Sequence, residues 1–358
     1  MLKTLLLCLG LALSLPVQAQ EAGHVPPDIG TRVADRYATS SLAGFAGVTG
    51  RLRGKMEELC ARPGEAALAD VHATFADTIR AWAYVSVLRF GPLVEENRFE
   101  HIFFWPDPRG VTLRQVQGLL AEKDEQAANP SALKEKSVAL QGLPALEFVL
   151  FSSDSEALAG EGDAFRCRYG TAIAANLADR AATLQAAWAP GSSFHAAFTG
   201  PGADNALYRS PKEVAGEVVK ALGTALQFAR DAELLPALGD EAAKANGRRA
   251  PFWRSDLTFA LVGAQIEGTV ALLQSAGFDI RLDTERRAVI DTVLFDLEHA
   301  LGAVNDVQAP AETAFAEEED RSRITYAAVA LKGANRSISE ELSAAIGLTM
   351  GFNALDGD

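Results

Sequence analysis

The stretch Gly142–Phe151 reads GLPALEFVLF and is almost wholly apolar, yet it contains one carboxylate, Glu147. Pro144 fits the first turn of a helix, where its missing N–H group has no intrahelical partner to lose. We therefore predict a helix that is apolar nearly all round, with Glu147 one turn in. Such a helix is usually buried, and a buried carboxylate is costly unless it is paired, metal-bound or protonated. Glu147 is the first candidate functional residue.

The rest of the chain reads as helices that can enclose this one. No period-2 run of β-branched residues exceeds a few positions, so no strand is predicted. We predict an all-α fold of about eight helices in two packed helical bundles. Apolar residues recur at spacings of three and four, as on one face of a helix, within residues 68–82, 165–188, 214–225, 262–273 and 290–301.

The N-terminus has the pattern of a secretory signal peptide over residues 1–19. Lys3 precedes an apolar core at 5–15, and small residues lead up to Ala19. We predict cleavage after Ala19 and an exported protein, located in the periplasm or cell envelope if the source is a Gram-negative bacterium. The apolar core is too short for a membrane span and no later stretch is long enough, so no transmembrane segment is predicted.

Length and composition favour an ordinary globular protein of two domains. Ser, Asp, Glu and Gly are concentrated at 152–162, which predicts a boundary between an N-terminal bundle at 20–158 and a C-terminal bundle at 159–358. The formal net charge of the chain is −14. This charge disfavours nucleic acid as a partner.

Two cysteines, Cys60 and Cys167, follow the predicted signal peptide. In an oxidising compartment an isolated pair is expected to form a disulfide. Closing so long a loop restricts the unfolded chain by roughly 4–5 kcal/mol in the entropy model. A metal site built on this pair is disfavoured because no His or Cys lies at ligand spacing to either cysteine.

The phrase at 142–147 resembles the signature of the imelysin family, Gly-x-His-x-x-Glu. Gly142 and Glu147 match it, whereas Pro144 stands in the position of the histidine, as in a branch of imelysin-like proteins that lacks it. The resemblance implies two helical bundles with the signature near their interface, and a link to iron-regulated systems. Other phrases that resemble the family lie at 82–110, 250–255 and 347–358.

In the family pattern, the histidine and the glutamate lie on one helical face and can share a metal ion. Because Pro144 supplies no ligand, Glu147 needs partners from elsewhere in the chain. An oxygen-rich site of this kind favours iron or calcium as the metal ion. The candidate partners are His72, His101, His299, Asp107, Asp291 and Asp296.

The alternative for Glu147 is a structural ion pair. Arg98 and Arg254 each lie among aromatic residues, and a guanidinium is a good bidentate partner for a carboxylate. Either arginine can pair with Glu147 and hold the two bundles together. The C-terminal tail, with Asn353 and Asp356, is then expected to dock beside the pair as a latch.

Two more residues of these phrases complete the predicted binding set. Trp105 belongs to a loop that cannot be helical, and we expect it to anchor the loop to the core or to form a wall of a ligand site. Ser255 is predicted to cap the helix that follows it. The predicted binding residues are Glu147, Arg98, Trp105, Asp107, Arg254, Ser255, Asn353 and Asp356.

The leading hypothesis is a non-catalytic exported binding protein associated with the uptake of iron or another metal. The first alternative is a metal-dependent peptidase, as the family's name implies. Pro144 and the lack of a nucleophile or metalloprotease signature disfavour it, and no catalytic residue is predicted. The second alternative is a structural module that docks a protein of the cell envelope through a helical face.

Overall fold

The computed structural model describes residues 24–160 and 163–348, and neither range contains a β-strand. The predicted all-α fold is therefore confirmed. The predicted signal peptide and the tail residues Asn353 and Asp356 lie outside the described residues. The α-helices are α1 Ile29–Val33, α2 Thr39–Ala61, α3 Glu65–Ser86, α4 Arg98–Ile102, α5 Val111–Glu122, α6 Pro130–Lys134, α7 Gly142–Phe151, α8 Ala164–Ala187, α9 Ser193–Thr199, α10 Pro211–Phe228, α11 Leu235–Leu238, α12 Thr258–Ala276, α13 Thr284–Asn305, α14 Ala311–Ala314, α15 Glu318–Arg336 and α16 Ser343–Ala345.

Three turns of π-helix continue α-helices without a break. They follow α1, α10 and α15, and each leads directly into the next α-helix. A π turn contains one extra residue, which locally rotates the side chains that follow it. The π segments are Ala34–Ala38, Ala229–Leu234 and Ser337–Leu342.

Polar caps fix where several long helices begin. Ser210 accepts a hydrogen bond from the backbone N–H of Glu213 at 3.3 Å, and Pro211 occupies the first helical position of α10. Asp283 accepts a hydrogen bond from the backbone N–H of Arg286 at 2.9 Å and so begins α13. These side chains satisfy N–H groups that have no partner inside the helix.

The long helices pack in two groups. Helices α2, α3, α7 and α8 form one group, helices α10, α12, α13 and α15 form the other, and α3 packs against α12 where the groups meet. Helix α8 follows the predicted boundary at 158 but packs against α2 and α7, which precede it; the boundary itself stays a prediction. In the described part of the chain, no helix has both the length and the apolar character needed to cross a membrane.

A disulfide joins Cys60 at the end of α2 to Cys167 in the first turn of α8, with the two Cα atoms 5.6 Å apart. The predicted pairing is therefore confirmed. It closes a sequence separation of 107 residues and holds α8 against α2.

Helix α7 lies at the centre of the first group. Leu143, Leu146 and Leu150 are fully buried, so the helix is enclosed on most sides, as the apolar stretch predicts. Gly142 begins the helix with a φ of +75°, and a Cβ atom there would lie 2.5 Å from the carbonyl oxygen of Ile102. Only glycine permits this backbone conformation and this close approach without strain.

Candidate functional site

Glu147 lies on the buried surface of α7 and is 4% exposed. Its Oε1 atom accepts hydrogen bonds from the backbone N–H and from the hydroxyl of Ser255, both at 3.0 Å. The predicted cap at Ser255 is wrong, because α12 begins at Thr258 and its N-cap residue is Leu257. The Ser255 hydroxyl is directed to Glu147 instead, since a buried carboxylate needs hydrogen-bond donors.

Arg254 is the nearest compensating charge for this carboxylate. Burial raises the pKa of Glu147 above its ordinary value, whereas the positive charge of Arg254 and the hydrogen bonds from Ser255 act in the opposite direction. The pKa of Arg254 is lowered, mainly by burial. The two groups therefore interact through the low-dielectric interior, although no ion pair within 4.0 Å joins them among the described residues.

The guanidinium of Arg254 is held by aromatic rings. Its central carbon lies 4.4 Å from the ring centroid of Trp253 and 5.2 Å from that of Phe148. Within residues 24–160 and 163–348, no hydrogen bond from this guanidinium is found. These cation–π contacts stabilise the guanidinium at this position while leaving its N–H groups free to bind another group.

Glu147 and Arg254 line a pocket of about 1050 Å³, which we call the Glu147 pocket. One side is formed by α7 and the other by residues 248–254. The loop that precedes α5 closes a third side. The pocket therefore lies between the two groups of helices, and its volume reaches the upper end of the range of ordinary small-molecule sites.

Two other charged residues of the pocket wall, Asp107 and Glu312, form hydrogen bonds within the chain. Asp107 accepts hydrogen bonds from the backbone N–H groups of Val111 and Thr112, each at 2.8 Å, and thereby caps α5. Glu312 accepts two hydrogen bonds from the Arg248 guanidinium at 2.8 and 2.6 Å. Arg248 and Glu312 therefore offset each other's charge, and both oxygens of Asp107 are occupied by the start of α5.

Arg249, like Arg254, has a guanidinium without a hydrogen-bond or ion-pair partner among the described residues. Its side chain is exposed and lines the Glu147 pocket. No ion pair or side-chain hydrogen bond of Arg249 occurs in the described part of the chain. Among the described residues, the charged groups of the pocket with free bonding capacity are therefore these two guanidinium groups and one oxygen each of Glu147 and Glu312.

The structure brings together some predicted binding residues and separates others. Trp105, Asp107, Glu147 and Arg254 line the pocket, and Ser255 bonds to Glu147 from behind its wall. Trp105 also anchors its loop, as predicted, since its indole N–H donates to the carbonyl oxygen of Ala232 at 2.8 Å.

Arg98 is not brought to the pocket. Its guanidinium donates to the carbonyl oxygen of Pro92 at 2.7 Å and to the carboxylates of Glu95 and Glu96 at 3.0 and 2.9 Å. Of the two arginines predicted as partners of Glu147, Arg254 is therefore the one beside it.

The predicted metal ligands are scattered. The residues described contain no group of three or more His, Cys, Asp or Glu side chains placed to hold a metal ion. Of the six candidate partners, Asp107 alone lines the pocket with Glu147, and both its oxygens cap α5. His72, for example, bonds to the carbonyl oxygen of Leu150 at 3.0 Å. One carboxylate beside a guanidinium does not fit a resident metal ion, which needs several anionic or neutral donors.

Three charged lining residues were not among the predicted sites. They are Arg248, Arg249 and Glu312. The two arginines directly precede the phrase at 250–255, and this adjacency is the signal that could have found them. Glu312 has no comparable signal, because its place is set by its pairing with Arg248.

A second buried glutamate, Glu233, was also missed. It is fully buried in the π segment after α10, where its Oε1 accepts a hydrogen bond from Gln265 at 3.1 Å. Its position continues the buried face of α10, four residues after Ala229. Extending the apolar spacing at 214–225 by two turns, through Ala229, would have identified it.

Comparisons with known proteins agree on one family. The family model described as Imelysin matches residues 38–338. The fold resembles that of an imelysin-like protein from Psychrobacter arcticum 273-4, with a TM-score of 0.75 at 19% identity over 92% of this chain and 99% of that one. It also resembles a protein from Parabacteroides distasonis ATCC 8503 described as an iron-regulated protein A precursor, with a TM-score of 0.71 at 13% identity over 90% and 97% of the two chains. No curated protein sequence matches.

Proposed function

The chain belongs to the imelysin family, and from this premise we propose that it is an exported, non-catalytic binding protein connected with iron uptake. The Glu147 pocket is its ligand site. The observation that carries this proposal is a buried carboxylate in the wall of a pocket of about 1050 Å³, with the unpaired guanidinium of Arg254 beside it. Charged groups with free bonding capacity in a large pocket are typical of binding sites.

Export and the link to iron are supported by separate observations. The N-terminal pattern at 1–19 and the disulfide between Cys60 and Cys167 both favour an oxidising compartment outside the cytoplasm. The Parabacteroides distasonis protein with a similar fold is described as an iron-regulated precursor. In this proposal iron is the cargo of the pocket and not a resident cofactor.

The composition of the pocket favours binding over peptide hydrolysis. Pro144 lines the pocket at the position of the family's histidine, and none of the described lining residues is a histidine or a cysteine. Metal-dependent hydrolysis needs a metal with an open position, and covalent hydrolysis needs an activated nucleophile. Cleavage of casein that a chelator abolishes would instead support the metal-dependent peptidase.

A docking module for an envelope protein is the second candidate function. It is favoured by the two hydrogen bonds from Ser255, which satisfy one oxygen of Glu147 within the chain itself. On this alternative, Glu147 fixes the segment before α12 to α7 and holds the two groups of helices together. The pocket then has no cargo.

Elemental analysis of the protein purified from its export compartment without chelators separates these functions. The proposal predicts stoichiometric iron in the wild-type protein and its loss in Glu147→Ala, because alanine removes the acceptor that positions residues 254 and 255. Circular dichroism of the variant checks that the fold is kept. If the wild-type protein contains no iron and takes up none on titration with iron salts or iron chelates, the docking module is favoured.

A further inference from the structure

Two guanidinium groups of the Glu147 pocket have no partner among the described residues. Arg249 and Arg254 have free guanidinium groups, whereas Asp107 and Glu312 are occupied by a helix end and by Arg248. Glu147 and Glu312 each accept hydrogen bonds through Oε1 alone, so each has one oxygen that accepts none among the described residues. The lining contains three arginines and three carboxylates, and of these six charged groups Arg249 and Arg254 are the two without a hydrogen-bond or ion-pair partner in the described part of a chain whose formal net charge is −14.

The arrangement of the arginines suits a carboxylate. The ring centroid of Trp253 lies 4.4 Å from the guanidinium carbon of Arg254 and 5.3 Å from that of Arg248. A guanidinium held against a ring loses little freedom on binding, and the planar N–H groups of Arg249 and Arg254 match the two oxygens of a carboxylate. An unpaired oxygen on Glu147 can accept a hydrogen bond from a hydroxyl group of the same ligand.

The size and the charge of the pocket argue against a bare cation. A volume of about 1050 Å³ is far larger than a single ion needs, and the unpaired guanidinium groups of Arg249 and Arg254 repel a cation. Resting on the proposed function, we infer that the pocket takes a small polycarboxylate anion, either free or as its ferric complex, with Arg249 and Arg254 as the carboxylate-binding residues. Iron then enters the pocket inside an anionic chelate.

Isothermal titration calorimetry with citrate and with ferric citrate as probes tests this assignment. Both probes are expected to bind the wild-type protein, and Arg254→Gln and Arg249→Gln are each expected to weaken binding by at least about tenfold, the usual scale for a hydrogen bond to a charged group. Arg281→Gln removes the same charge from an exposed residue outside the pocket and is expected to leave binding unchanged. High salt is expected to weaken binding to the wild-type protein.

Glu147→Gln distinguishes an anion site from a cation site. Glutamine keeps an acceptor for Ser255 but removes the negative charge, so citrate is expected to bind as well or more tightly. Calcium chloride serves as the bare-cation probe. Calcium binding that Glu147→Gln abolishes and that the arginine variants leave intact would overturn the inference and leave the pocket as a ligand site.

The remaining outcomes separate this inference from the proposed function. Citrate binding that depends on the arginines, without binding of ferric citrate, supports the anion site and contradicts the role in iron uptake. If both probes bind and neither arginine variant weakens their binding, the anion site is overturned but the proposed function is not. The same conclusion follows if the protein contains stoichiometric iron but does not bind citrate. Arg249 is exposed, so its variant tests the inference even if Arg254→Gln fails to fold, which its thermal midpoint reveals.

Discussion

Glu147 and Glu233 are both buried glutamates, but their surroundings differ in kind. Glu147 receives a backbone N–H and a hydroxyl hydrogen bond, has Arg254 beside it and borders a pocket. Glu233 receives one hydrogen bond from Gln265, and its Oε2 atom is buried without a partner. Burial raises the pKa of both carboxyl groups, that of Glu233 to about 8.

The nearby arginines show the same contrast. Arg89 helps to lower the pKa of Glu233, but its guanidinium is buried against the rings of Phe99 and Phe228, 3.7 and 4.1 Å from their centroids. Burial lowers the pKa of Arg89 to about 10. The interior around Glu233 is thus too poorly solvated to favour its charge, whereas Glu147 has donors and an opening. A buried carboxylate becomes a candidate binding residue when free polar groups and a cavity accompany it, and burial alone is insufficient.

The largest expected effect comes from replacing Glu233 by glutamine. The folded-state pKa of Glu233 is raised from 4.5 to about 8, so between these pH values the folded protein holds a proton that the unfolded chain has released. Stability therefore falls as pH rises through this window, with a slope approaching about 1.4 kcal/mol per pH unit for one proton. Glu233→Gln removes this slope and stabilises the protein at pH 9 by a few kcal/mol (order of magnitude).

Urea unfolding followed at several pH values measures this difference. Glu298→Gln is the matched control, because Glu298 is exposed and its replacement is expected to leave the pH dependence unchanged. In the protonated form the Glu233 carboxyl has a hydrogen to donate, and the side-chain Oε1 atom of Gln265 is a buried acceptor without a partner. Parallel pH profiles for wild type and Glu233→Gln would contradict a proton bound at Glu233 and remove the contrast with Glu147.

The second-largest effect on stability is expected at Gly142, the first residue of the helix that contains Glu147. Gly142→Ala puts a Cβ atom 2.5 Å from the carbonyl oxygen of Ile102 at a φ of +75°, so we expect a loss of about 2 kcal/mol or more. Gly50→Ala is the control, since nothing lies within 4 Å of a Cβ atom at that position in α2. It is expected to stabilise the protein by roughly 0.5–1 kcal/mol, because alanine is the better helix former. Equal midpoints of thermal unfolding for the two variants would contradict the close approach.

The same two glutamates show how far the sequence predicts the site. Glu147 could be predicted because one carboxylate in an apolar helix needs an explanation. Glu233 follows Arg230 and Asp231, so its surroundings look like an exposed helix turn. The π segment and the packing of α12 bury it, and only the extended spacing of α10 indicates this.

Partners distant in the chain were harder to predict than the helices. Apolar spacing predicts the helices because each repeat is local, and an all-α fold follows from it. Ser255 lies 108 residues from Glu147, and its local sequence is equally consistent with a helix cap. Arg98 and Arg254 have similar aromatic surroundings in the sequence, and only the tertiary structure places one of them beside Glu147.

A smaller loss of stability is expected when Glu147 loses one of its hydrogen-bond donors and so resembles Glu233, which has a single donor. Ser255→Ala removes the hydroxyl donor at 3.0 Å but keeps the backbone N–H, so we expect a loss of about 1–2 kcal/mol near neutral pH. The hydroxyl lowers the pKa of Glu147, so its removal raises that pKa further. As pH falls, the Glu147 carboxyl becomes protonated and no longer carries a charge that needs the lost donor. The destabilisation should therefore be smaller at acidic pH.

Chemical denaturation at pH 4 and pH 8 measures this change in the Ser255→Ala variant. Ser40→Ala provides the control, because the Ser40 hydroxyl donates to a backbone carbonyl, that of Tyr37, and not to a carboxylate. Its effect is expected to be small and the same at both pH values. A loss in Ser255→Ala that is equally large at pH 4 would mean that the hydroxyl acts through packing or through its hydrogen bond to the carbonyl oxygen of Phe252, at 3.2 Å.

The smallest effect is expected at Arg98, which resembles Arg254 in sequence but not in position. Its ion pairs are with exposed carboxylates, so Arg98→Gln should lower stability by less than about 1 kcal/mol. Citrate and ferric citrate should bind the variant with an affinity within about twofold of wild type, because Arg98 lies outside the pocket and its charge is already paired with Glu95 and Glu96. If Arg98→Gln weakened binding as much as Arg254→Gln, charges outside the pocket would attract the ligand. Equal binding to wild type would instead assign recognition to guanidinium groups that face the pocket.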